Sequence, residues 1–145
     1  MNNAMVLMLI IQFSISFTHD YHADEILGKW ESDKHDVIID ISKLNNQYFG
    51  KVVWFYCEPN GLKMPEFTDT NNPNQNLRNR KWLGMEVLTN LVYKGDNKYD
   101  NGEIYDANSG HTYSSAITLT TKNTLTVRGY WGIHLFGRSI NFVKI

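Results

Sequence analysis

Gly28-Lys29-Trp30-Glu31-Ser32 opens the first strand-like run of the chain, and its reading decides the architecture. A Gly-x-Trp at the head of the first strand, answered by Arg138 at the head of the last apolar run, sets the two ends of the sheet side by side. A first strand that meets a last one closes the sheet into a barrel. With Trp30 pointing inward, its ring caps one end of that barrel, and Arg138 is expected to lie on the ring as a cation-π partner worth about 0.5 to 2 kcal/mol. Gly28, Trp30 and Arg138 are therefore read as structural residues.

Outward from that stretch, short apolar runs alternate with turn signals, the pattern of an antiparallel meander, and helical periodicity is nearly absent. Val37, Ile39 and Ile41 alternate with Asp40 and Ser42 before Leu44-Asn45-Asn46-Gln47 turns the chain. The run from Tyr48 to Cys57 sets Val52, Trp54 and Tyr56 on one face. Its other face, with Phe49, Val53 and Phe55, is also apolar, so something is expected to cover it. Strands resume at Met85, with Val87, Leu91 and Tyr93 on its side, and Lys94-Gly95-Asp96-Asn97 turns. A short strand from Gly102 to Asp106 leads through Ala107-Asn108-Ser109-Gly110 into His111 to Thr120, where Tyr113, Ser115, Ile117 and Leu119 share a face. Leu125, Val127 and Trp131 follow, and Ile140 and Phe142 close the chain with Arg138 on their side. Eight or nine strands joined mostly by tight turns make an all-β, antiparallel up-and-down barrel.

Glu58 to Leu83 differs in kind. It holds all 3 prolines and a run of Asn and Asp, so it is no strand, and a connection of this length marks a lid, a binding loop or a partner surface. Asn72-Pro73-Asn74-Gln75 has the form of a helix start, with Asn72 as N-cap. Arg78 and Arg80 beside Lys81 form a positive cluster on a segment expected to lie over the barrel mouth. They either meet an anionic head group or tie the loop to barrel carboxylates.

The formal net charge of -1 supplies no field for nucleic acid, and none is expected as a partner. Cys57 is the only cysteine, so an intrachain disulfide is excluded. Residues 1–23 read as an export signal with a short linker: Ala4 to Phe17 is an apolar run too short to span a bilayer, although Lys and Arg are missing before it. The domain is then 24–145, periplasmic or secreted, with no stable transmembrane anchor. His19 and His22 flank Asp20 without a helix to hold them, and no metal site and no cofactor are expected. Asp106 and His111, across a turn, form a pair that acts as a general base if a cleft holds them; turn capping explains them equally. No catalytic residue is assigned.

Two resemblances join this reading. Gly28-Lys29-Trp30 with a late Arg138 resembles the structural signature of lipocalins and fatty-acid-binding proteins. From Ile26 to its end the chain resembles the exported bacterial proteins catalogued as domain of unknown function 2147. The segments that carry this are Gly50 to Trp54, Asp69 to Pro73, Leu77 to Arg80, Gly84 to Leu88, Gly102 to Asp106, Ser109 to Tyr113, Arg128 to Tyr130 and Leu135 to Arg138. The resemblance implies a lipocalin-like barrel exported in Gram-negative bacteria, with no established reaction. The function expected is binding of a small hydrophobic or amphipathic molecule inside the barrel. Trp54, Tyr56, Tyr93, Tyr113 and Trp131 are its expected lining, and Arg78 and Arg80 lie on the lid. The alternatives are a barrel filled by its own side chains that docks an envelope protein, and a small hydrolase or isomerase using Asp106 and His111.

Overall fold

The computed structural model describes residues 23–133 and 137–145. Among these, β1 (Gly28–Ser32), β2 (Val37–Leu44), β3 (Gln47–Phe55), β4 (Glu86–Gly95), β5 (Lys98–Asp106), β6 (His111–Thr121), β7 (Thr124–Tyr130) and β8 (Gly137–Lys144) follow one another around a closed antiparallel barrel. Asn45-Asn46 and Asp96-Asn97 turn with both residues at positive φ, the twist that suits a two-residue hairpin loop. Each of these turns sits at the same end of the barrel as residues 23–27.

That end is plugged. Ala23 to Leu27 fold into a turn beneath the strands, and Ile26 and Trp30 are fully buried there. The Trp30 indole donates to the Ile26 carbonyl at 2.7 Å, Tyr99 Oη donates to the Ala23 carbonyl at 2.8 Å, and Tyr48 Oη donates to Asp24 Oδ1 at 2.7 Å. Each buried aromatic thus sends its one polar atom to a waiting acceptor. Burial, then the Asp24 carboxylate, pushes the Tyr48 phenol up, so it stays a donor. The bonds from Lys43 and Tyr48 hold Asp24 below the usual carboxylate range. Above this floor, Ile39, Ile41, Leu91, Leu119, Leu125 and Phe142 fill the lower barrel.

The cation over Trp30 is Lys144, which corrects the expected Arg138. Trp30 stands opposite Lys144 in the ladder, whereas Arg138 stands opposite Gly129. The two cations are six residues apart on β8, about 20 Å along a strand. Lys144 Nζ lies 5.1 Å from the Trp30 ring centroid and donates to the Glu25 carbonyl at 2.8 Å.

Two departures from strict alternation decide what faces inward. Between β2 and β3 the register slips, with Ile39 opposite Val52 but Ile38 opposite Trp54, so the extra residue turns Trp54 to the outer face and Phe55 inward with Val37. In β4 and β5, Asn90 and Asn101 take positive φ (58° and 63°), and the kink lets Leu88 and Leu91, three apart, both face the core. Val87 is thereby on the outer face.

Candidate functional site

The end opposite the plug is the mouth. β1 is short and pairs with β8 only from Phe142 to Lys144, so the upper part of β8 runs on beside β7 alone. Across β6, β7 and β8 the register sets side chains in rows. Ile117, Val127 and Ile140 share the row above Leu119, Leu125 and Phe142 and all face inward, yet Val127 is 2% exposed and Ile140 41%. Ile140 is thus exposed where β1 leaves β8 unpaired, while Ile117 and Val127 beside it and Ser115 above stay buried. The row above is Ser115, Gly129 and Arg138. At the rim, Tyr113 and Trp131 meet edge to face with ring centroids 6.0 Å apart, and Trp131 is 73% exposed.

Of the expected lining, then, Tyr113 and Trp131 come together at the mouth and the others do not. Tyr93 is inside the barrel but packs on Tyr99 at 5.1 Å, near the plugged end. Trp54 faces outward through the β2–β3 slip, and Tyr56 lies beyond β3 with more than half its surface exposed. Both border an outer hollow of about 370 Å³ with Cys57, Pro59 and Met64.

The long connection packs at the mouth end of β3 and on the outside of the barrel. It leaves β3 through an aromatic cluster of Phe55, Phe67 and Trp82, with centroids 5.2 to 5.4 Å apart, and folds against the outer side of β5 and the β5–β6 turn. Its knot is Asp69, fully buried, which accepts from Tyr105 Oη at 2.6 Å, Asn72 Nδ2 at 2.7 Å and Arg80 Nη2 at 2.7 Å. Burial alone raises this carboxyl, but the bonds from Tyr105, Asn72 and Arg80 outweigh it and hold it below the usual range. Burial, then Asp69, pushes the Tyr105 phenol up to about 12. Arg80 is thus committed within the loop, and Arg78 Nε donates to the Asn72 carbonyl at 2.8 Å. Neither cation reaches the mouth. The expected helix is a single 3-10 turn, Gln75–Leu77, capped by Asn74, while Asn72 is drawn inward by Asp69. A hollow of about 290 Å³ remains between the loop and β4–β6, with Pro73, Leu77 and Val87 beside Glu86 and Glu103.

Asp106 is occupied by its own turn: Oδ1 accepts from Asn108 N at 3.0 Å and Oδ2 from Ser109 Oγ at 2.7 Å. His111, opposite it in the ladder, is exposed. The described residues contain no group of three His, Cys, Asp or Glu able to hold a metal, and no helix long and apolar enough to cross a membrane. Residues 1–22 of the expected export segment 1–23, with His19 and His22, lie outside the described residues, as does Leu135-Phe136.

Sequence reasoning passed over Lys144, Asp69 and Ser115 as functional or structural centres. Lys144 shares the parity of Phe142, so alternation alone puts it on the inward face. Ser115 interrupts the apolar face of β6, which is the signal of a polar group with an inward task. Asp69 carries no such mark, because loop acids are ordinarily solvated.

A family model described as an uncharacterized protein conserved in bacteria (DUF2147) matches residues 28–144. No curated protein matches. Among solved structures, the chain is similar to protein HP1028 from the human pathogen Helicobacter pylori, described as belonging to the lipocalin family: 19% identity, 82% of each chain covered, TM-score 0.71. A redesigned β-barrel also matches at 8% identity over 86% of this chain and 94% of that one, with a TM-score of 0.45. The first of these likenesses shows the lipocalin-like fold.

Proposed function

We propose that this chain, which belongs to the DUF2147 family of uncharacterized bacterial proteins, is exported and holds a small amphipathic molecule in the mouth of its barrel. The observation that carries this reading is Ile140, a side chain on the inward face that solvent nevertheless reaches. An apolar group entering there covers Ile140 and meets the Tyr113 and Trp131 rings, an apolar wall with few polar fixtures, as small-molecule sites have. The lower barrel is filled by Trp30, Tyr48 and Tyr99, so the molecule occupies the upper part only.

The test is calorimetric titration of the protein with medium-chain fatty acids and alcohols, beside an Ile140→Trp variant whose larger ring fills the mouth. Saturable one-to-one binding that the variant loses, at unchanged circular dichroism and melting temperature, supports the reading. Absence of heat and of any Trp131 emission shift across the panel sinks it. A second reading, docking of an envelope protein, draws on the exposed Tyr56 and Leu62 around the outer hollow. It gains if Tyr56→Ser abolishes capture of one envelope component while the mouth variant does not.

A further inference from the structure

The upper part of β8 has a free edge. β1 pairs with β8 at Trp30, Glu31 and Ser32 only, and the last bond across this seam runs from Asp33 N to the Asn141 carbonyl at 2.9 Å. Residues 33–36 then turn into β2, while β8 continues to Gly137 beside β7 alone. Lys144 N donates to Asn123 next to β7 and Ile145 N to Lys29 of β1, which fixes the parity of the backbone. Gly137 and Ser139 therefore aim N–H and C=O at the seam, and Arg138 and Ile140 aim theirs at β7. Among the described residues nothing bonds the seam-side groups of Gly137 and Ser139. An edge of this kind is a template for another strand. It is weakly protected: residues 137–141 are all exposed, without Pro, Lys or a bulge. Arg138 is the exception, a charge turned inward at the edge, and it decides what can add there.

A second copy fits badly. In a two-fold pair that bonds the copies' Gly137 and Ser139 to each other, Arg138 stands directly against Arg138, and like charges so placed repel. A pair centred on Ser139 brings the copy's Gly137 to Asn141, where Asp33 already stands. A strand of opposite charge meets neither obstacle. We propose that the free edge of β8 adds an antiparallel strand of another protein, an extended segment with Asp or Glu opposite Arg138 and an apolar residue opposite Ile140. Residues opposite each other share a face, so both fall on the inner side of the added strand. Among the described residues no carboxylate pairs with Arg138. Asp33 and Asp36, held by Asn141 and Ser32, mark the lower end of the edge, so the acid belongs opposite Arg138 and not below Ile140. The turn at residues 33–36 also stops the added strand there, and the pairing rests on Gly137 and Ser139. This surface is separate from the outer hollow at Tyr56, and its failure leaves the mouth reading as it stood.

The probes are two capped peptides of alternating Val and Thr, one with Glu and one with Lys at a central Val position, followed by fluorescence anisotropy on the wild type, Ser139→Pro, Ser139→Ala and Arg138→Glu. Proline at 139 removes a seam-side donor that β7 does not use. Ser139→Ala removes only the hydroxyl that accepts from Arg128 Nη1 at 3.0 Å and keeps that N–H. The Glu peptide is expected to bind about fivefold or more tighter than the Lys peptide, with the order reversed in Arg138→Glu. Ser139→Pro is expected to lose about tenfold or more at unchanged circular dichroism, and Ser139→Ala to bind as the wild type. Methylating the Thr nitrogens of the peptide, which face β8, is expected to abolish binding, whereas methylating the Val nitrogens is not. That comparison leaves the protein unaltered, so it holds even where Ser139→Pro misfolds. Binding indifferent to the methylation pattern overturns strand addition. Equal affinity for the two peptides overturns the acidic segment, and no binding of either makes Arg138 a guard alone and overturns the proposal. A dimer of the peptide-free protein by ultracentrifugation, lost in Ser139→Pro, overturns it in favour of a second copy.

Discussion

Lys144 and Arg138 sit on the same inward face of β8, and their six-residue separation divides their roles. Lys144 is half-buried against Trp30, so Lys144→Ala should lower stability by about 0.5 to 2 kcal/mol, read as a fall in urea midpoint. Arg138→Ala, at the exposed rim, should change it by less than about 0.5 kcal/mol. The reverse order would restore the pairing of Arg138 with Trp30. Asp69 makes a second prediction at this scale. Its folded carboxyl is held below the ordinary value, so its contribution is present above about pH 4 and is lost as pH falls through the folded value. Loop cleavage by an acid-tolerant protease should accordingly rise in acid in the wild type. In Asp69→Asn it should already be high at neutral pH, with a stability loss of about 1 to 3 kcal/mol. Protection that is indifferent both to acid and to this change would show the knot to be dispensable.

At the scale of elements, the plug and the long loop can each be probed at one backbone contact. Ala23 supplies the carbonyl that the buried Tyr99 hydroxyl uses, so under the proposed export any cleavage is expected on the N-terminal side of Ala23. The intact mass of protein recovered from a periplasm checks this; a chain beginning at Asp24 would contradict it. Gly110, at φ 75°, lies so close to the Asn71 carbonyl that any Cβ would strike it. Gly110→Ala should release the loop to proteolysis while the far-ultraviolet spectrum of the barrel persists, and equal protease resistance would count against the anchoring. Much of this level was legible in the residues. Alternation in β2, β6 and β7 and the Asn-Asn and Asp-Asn turns carry the barrel directly, because side-chain parity and turn chemistry are local. Trp54 and Val87 were misplaced because each lies at a slip or kink, where one extra or left-handed residue exchanges the two faces. The course of the loop was illegible for a different reason. Asp69, Arg80 and Tyr105 meet only after folding, and nothing in their spacing announces it.

Over the whole molecule, the barrel has a lower part filled by Trp30, Tyr48, Tyr99 and Phe142 and an upper part where β8 runs past the short β1 and leaves Ile140 exposed. A bound chain gains about 0.8 kcal/mol for each methylene it buries, but only over the depth of the mouth. Affinity should therefore rise through short and medium amphiphiles and then level off, and a continued rise to long chains would require the floor to open. Of the candidate site, the rim pair Tyr113 and Trp131 was readable from parity, whereas the Ser115, Gly129 and Arg138 row needed the register of three strands. The most direct test of a ligand in the mouth is native mass spectrometry of the protein recovered from a Gram-negative periplasm, beside the Ile140→Trp variant. A stoichiometric amphipathic passenger on the wild type, missing from the folded variant, is the predicted result. A passenger retained by both proteins would place the ligand elsewhere, and bare wild-type protein that no amphiphile shifts in mass would contradict the account.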